Sequence, residues 1–200
     1  INSICIYNPL NKKEVISLSK KKIFFPFFKN YKKLKIITIG RFTDQKDHIT
    51  FLKSLDILKK KIKFRAIIIG RGINKTSMKR FIQDNDMNNF TKILDFKTNP
   101  YKYIKLADLF VLTSKFEGLP NVLLEAACLK KFIISTNCPT GPKEILMSGK
   151  NGFLCKVGDP KDISKKILIY NNNKKLLKKK ILNSFSGLSR FNYNLNLNKY

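Results

Sequence analysis

Glu117 and Glu125 stand eight residues apart in SKFEGLPNVLLEAACLKKFIIST (114–136). Glu125 sits in VLLEAACL (122–129), a run with no packing reason to hold a carboxylate. Burying it there is costly unless a donor hydrogen-bonds it, and two vicinal ribose hydroxyls would serve. Pro120 suits the first helical position, where its missing N–H costs nothing and its fixed φ fits. The amides of Asn121, Val122 and Leu123 would then lack an intrahelical acceptor. A helix start reached over Gly118 and Leu119, with no side chain on the glycine to obstruct approach, is a phosphate cradle. Glu117 falls before the helix, so the two acids would flank a ligand held across its start. The bland alternative pairs Glu125 with a lysine and leaves Glu117 a solvated loop acid.

GRFTDQKDH (40–48) supplies the cations that phosphates need. Arg41 follows directly on Gly40, and Lys46 lies five residues on, near the next helix start. Facing residues 120–123, the pair would neutralise a diphosphate; taken singly, each is one surface cation among many. Other signals are weaker. GRGINK (70–75) imitates a dinucleotide loop but ends in lysine, and Asp95 is a poor substitute for the acid such a loop requires. DND (84–86) resembles an Asp-x-Asp metal site but falls where a helix runs into a strand, and reads as a helix-ending turn; no metal site is expected. His48, the sole histidine, opens a helix and makes a poor general base. Cys5, Cys128, Cys138 and Cys155 have no paired spacing, so single buried thiols in a reducing cytosol are expected.

These residues need a frame. Apolar β-rich runs at 34–40, 63–70, 91–96, 108–114, 131–136 and 152–157 alternate with helical patterns at 47–61, 74–84, 99–107, after Pro120 and at 141–147. Strands separated by helices of this length mean right-handed βαβ units. Runs as continuous as RAIIIG belong to parallel strands buried on both faces. The fold class is therefore α/β, a Rossmann-like doubly wound parallel sheet with C-terminal helices over 161–200, broken at NNN (171–173). In such a sheet ligands bind at the carboxyl ends of the strands. Three loops reach that edge: 40–48, 114–121 and NCPTGPKE (137–144). Residues 1–30 read as a linker in which ICIYNPL is strand-like and LSKKKIFFPFFKNYKK a connector; 31–188 form the main domain, and 189–200 a returning helix.

Two hundred residues with 43% hydrophobic content make a globular chain with a real core. No apolar run is long enough to span a bilayer, and the chain, opening on Ile1 without a signal pattern, reads as a piece of a longer protein. A net charge of +28 invites an anionic partner. Of the 41 basic residues, however, the five arginines leave 36 lysines spread end to end. Arginine is what phosphate recognition favours, so nucleic acid is not expected. Compositional drift over a solvated surface is the first reading, and peripheral contact with an anionic membrane the second.

GRFTDQKDH, IIIGRG, NPYKYIKLADLFVLTSKFEGLPNVLLEA and STNCPTGPKEIL resemble the carboxy-terminal, donor-binding domain of family-4 GT-B-type glycosyltransferases. EGLPNVLLE is similar to that family's E-x7-E signature. The resemblance implies one half of a GT-B fold that transfers a sugar from a nucleotide-diphosphate sugar, with a UDP-linked donor expected, to a glycan or lipid-linked glycan. Retention of configuration and no metal or other cofactor are implied as well. It gives Arg41 and Lys46 to the diphosphate, Glu117 to the transferred sugar and the Gly118–Val122 backbone to sugar and distal phosphate. Glu125 falls to the ribose, and the strand end at Phe96 to the nucleobase. LDFKTNP lacks the glycine common after its strand, and the amino-terminal domain that holds the acceptor is missing from the sequence. A non-catalytic nucleotide-sugar module and a charge-driven membrane or nucleic-acid binder are the competing readings.

Overall fold

The computed structural model describes residues 10–192. Six strands alternate with helices: α1 (Lys12–Ser19), β1 (Leu34–Ile39), α2 (His48–Lys59), β2 (Phe64–Gly70), α3 (Lys75–Asp84), β3 (Thr91–Asp95) and α4 (Tyr101–Leu106). There follow β4 (Leu109–Leu112), α5 (Asn121–Cys128), β5 (Phe132–Thr136), α6 (Pro142–Ile145), β6 (Phe153–Cys155), α7 (Pro160–Asn172), α8 (Lys178–Ser186) and a 3-10 helix (Gly187–Phe191). The strands form one sheet in the order β3-β2-β1-β4-β5-β6. Every pairing is parallel, with Leu34 opposite Phe64, Ile36 opposite Leu109 and Leu109 opposite Phe132. This is the doubly wound α/β architecture that the strand patterning predicts.

Strands such as IIIG are apolar throughout because both faces are covered. One face packs Ile37, Ile67, Phe110 and Ile133 against α1, α4 and α5; the other packs Ile36, Ile68, Val111 and Ile134 against α2, α3 and α7. The order in which strands are added reverses between β1 and β4, and a crevice is expected at that switch, at the loops after those two strands.

Two segments differ from the sequence reading. Residues 12–19, taken as part of an irregular linker, form α1, capped by the Asn11 side chain accepting from the Glu14 amide. With Val15 its one buried large apolar residue, α1 carries little periodic signal, and it is held by packing on α4 and α5. Pro120 takes the N-cap rather than the first helical position (ψ 98°), and its carbonyl accepts from the Leu123 amide. The Leu123 amide is therefore not among those left open at the helix start. The strand-like ICIYN and most of the returning segment after Asn192 lie outside the described residues.

Candidate functional site

The loops after β1, β4 and β5 interlock at the crevice. The Lys115 amide donates to the Gln45 carbonyl (2.8 Å), and Gln45 Nε2 donates to the Phe116 carbonyl (3.0 Å). Thr113 Oγ1 donates to the carbonyls of Lys46 (3.1 Å) and Asp47 (3.0 Å). These bonds hold Lys46 in place, and its Nζ meets Glu117 Oε1 at 2.5 Å. Ser114 Oγ donates to the same carboxylate oxygen (2.6 Å). The Glu117 side chain is only 6% exposed, so the solvated-acid alternative does not hold. Arg41 stays exposed on the same loop, its Nη2 3.5 Å from Gln45 Oε1, while the Lys46 stem runs past Gly40.

The third loop closes on the second. The Glu117 amide donates to the Pro139 carbonyl (3.3 Å), and Thr140 Oγ1 donates to the Glu117 and Gly118 carbonyls. Gly141 adopts φ 72°, ψ −68°; a Cβ there would overlap the Gly118 carbonyl oxygen and lie 2.5 Å from Pro120 Cδ. Only glycine lets this loop sit so close. Gly118 faces open space, and the Val122 amide has no protein acceptor among the described residues. Beyond Thr140 a cavity of about 900 Å³ opens, lined by Lys143, Met147, Lys150 and Arg190 among others.

Glu125 is half-buried, and its partner is not a lysine: Tyr101 Oη, at the start of α4, donates to its Oε1 (3.2 Å). Burial raises the Glu125 pKa above the usual carboxylate range, and the Tyr101 bond pulls it partly back. The Tyr101 phenol is pushed up to about 12 by burial and by the neighbouring carboxylate. Phe96, just beyond β3, is 55% exposed, with the Arg71 guanidinium 5.1 Å from its ring centre. Both stand at the same sheet edge, just past the ends of β2 and β3.

His48 opens α2, buried edge-on against Phe42 (5.4 Å), with Nδ1 unpartnered among the described residues. Burial first, then the Lys46 charge, lowers its pKa to about 4, so it stays neutral. The GRG turn is structural: a Cβ on Gly70 would overlap the Gly40 carbonyl and lie 2.8 Å from the Phe42 ring. Asp95 pairs with Lys75, and α3 ends at Asp84, as DND suggests. Cys128, Cys138 and Cys155 are buried free thiols, raised by burial; Cys5 lies outside the described residues. No group of three metal-ligating side chains occurs among the described residues. Tyr101, Ser114, Gln45 and Gly141 escaped the sequence reading. Of these only Gly141, a glycine before a proline in the third loop, carries a local signal.

A parallel sheet wound in this order, with cations, an acid and a helix start meeting at its switch point, defines the Rossmann-like carboxy-terminal half of a GT-B fold. The family described as Glycosyl transferases group 1 matches residues 19–184, and the chain belongs to it. An uncharacterized glycosyltransferase of Methanocaldococcus jannaschii is 38% identical over 111 residues, 55% of this chain and 27% of that protein. A 4-alpha-N-acetylgalactosaminyltransferase of Campylobacter jejuni, acting on a diphospho-undecaprenol-linked sugar by its name, is 29% identical over 122 residues, 61% of this chain and 33% of that one. Anabaena HepE in complex with UDP-glucose superposes with a TM-score of 0.84 at 18% identity, covering 97% of this chain and 55% of that one. The chain thus spans a quarter to a third of these two curated relatives and about half of the solved structure.

Proposed function

We propose that this chain is the donor-binding half of a retaining glycosyltransferase that takes a sugar from a nucleoside diphosphate, with uridine diphosphate the expected carrier. The observation that carries this is the convergence of Lys46, Glu117 and the α5 start at the strand-order switch. Arg41 and Lys46 would bear the diphosphate charge with the Gly118–Val122 backbone, Glu125 would accept from the ribose hydroxyls, and Phe96 would border the base. Glu117 would meet the transferred sugar. Cations and helix amides that grip the diphosphate most firmly as charge grows on it act on turnover more than on donor affinity, and this route needs no metal. The relatives' names, an N-acetylgalactosaminyltransferase and a poly(ribitol-phosphate) alpha-N-acetylglucosaminyltransferase of Staphylococcus aureus, support a hexosyl or acetamidohexosyl donor and a glycan or lipid-linked acceptor. Work on such an acceptor would bring the enzyme to the cytoplasmic face of an anionic membrane. No helix among the described residues is long and apolar enough to cross one, and the contact proposed is a peripheral one.

Lys46→Ala and Glu125→Ala in the intact protein should each lower turnover by about 100-fold or more without unfolding it. Near-parental turnover rejects the reading. Calorimetry with uridine and guanosine diphosphates beside the same assay separates an enzyme from a binding module, which would hold a nucleotide without turnover.

A further inference from the structure

The connector between α1 and β1 lies along the outer face of α4. Phe25 packs edge-on against Tyr103 (5.4 Å), and Phe27 and Phe28 are buried beyond it. This path leaves Phe24 74% exposed beside a groove of about 540 Å³. Every charged residue lining the groove is a lysine: Lys20, Lys21 and Lys22 from the connector, Lys102 and Lys105 from α4. None of the five forms an ion pair among the described residues, whereas Lys46, Lys59 and Lys75 all do. Lys29 Nζ stands 5.0 Å over the Phe24 ring, so cations surround this exposed aromatic side chain.

We propose that this groove and Phe24 form the surface that docks the protein on an anionic lipid bilayer, with lipid phosphates among the five lysines and the Phe24 ring in the interface. The inference takes up the membrane contact proposed above and gives it a surface, but requires no sugar transfer. Charge complementarity argues for the occupant, since uncompensated cations want a diffuse anionic partner. The chemistry argues for lipid: the lining holds no arginine fork for a defined phosphate, and an exposed aromatic ring among lysines suits the boundary between headgroups and acyl chains. A second lysine-rich face lies before and along α8, where Leu176 is 80% exposed; the Phe24 flank is the better candidate because its five lysines line one groove.

The test is flotation of the intact protein with phosphatidylcholine vesicles, with and without phosphatidylglycerol. Lys20→Glu/Lys21→Glu/Lys22→Glu should weaken capture by the anionic vesicles about 100-fold or more, and Phe24→Ala about 10-fold. Lys174→Glu/Lys175→Glu/Lys178→Glu, an equal charge change elsewhere, should leave it within about 3-fold; circular dichroism checks that each variant is folded. Equal losses from both triple variants would show a diffuse charge effect and overturn the proposal. So would loss from the α8 variant alone, indifference to Phe24, absence of parental binding, or equally strong capture of the parent by single-stranded RNA with the same variant dependence. Vesicle capture needs no nucleotide sugar, so this result and the transfer assay fail independently.

Discussion

Lys46 and Lys21 belong to opposite kinds of surface. The Lys46 side chain is 15% exposed, held against Glu117; its loop is tied to the one after β4 through Gln45 and Thr113, and that loop in turn to the one after β5 through Thr140. Lys21 stands free in a groove with four more lysines and no acid. In the crevice, charges are fixed by backbone hydrogen bonds and by the close approach of loops, so position has been specified at the cost of freedom. On the α4 flank only the sign of the charge is specified, and each side chain keeps its own motion. A site for one ligand needs the first arrangement; attraction to an extended anionic surface needs only the second.

The contrast can be broken at its most rigid point. Gly141→Ala puts a methyl into the Gly118 carbonyl at a positive φ, and should cost about 2–4 kcal/mol in denaturant unfolding. Lys21→Ala on the flank should change stability by less than about 0.5 kcal/mol. Equal costs would mean that the loop contacts are not what hold the crevice.

A smaller effect distinguishes the two regions by pH. His48 has its folded pKa lowered to about 4 from an ordinary 6.5, so the unfolded chain binds more protons between those values. The stability that His48 contributes is therefore complete above about pH 6.5 and falls as the pH drops toward 4, by about 3 kcal/mol over that window. Urea melts at pH 7.5 and 4.5 should show this loss, and His48→Gln should remove most of the slope.

Within the crevice the smallest of the three effects is expected at Tyr101. Tyr101→Phe removes the donor to Glu125 and raises the carboxyl pKa further, at a cost of about 1–2 kcal/mol near neutral pH. Because protonated Glu125 no longer needs that donor, the gap between variant and parent should narrow as the pH falls. A constant gap would mean that the phenol acts only by packing.

What the sequence made legible followed how local each cause is. Strands such as LKIITI and FRAIIIG announce themselves because both faces are buried, and the E-x7-E spacing and the Gly40–Arg41–Lys46 loop lie within single stretches. Tyr101 was not legible because it reaches Glu125 from another helix, 24 residues away, with nothing in NPYKYIK to mark it. Gln45 likewise acts across 71 residues. The one-residue shift at Pro120 arises because the Leu123 amide finds the Pro120 carbonyl in a tighter first turn.

The bond between Lys46 and Glu117 leaves that corner of the protein electrically self-contained. A polyanion settling there would compete with the resident acid for the ammonium, so its arrival and release would be an exchange among partners. A carboxylate loosened by that exchange would keep the Ser114 hydroxyl and have room for a second donor, and the hydroxyls of a sugar carried on the same polyanion would be the nearest to offer one. Seizing the phosphates and turning toward the sugar would then be a single event.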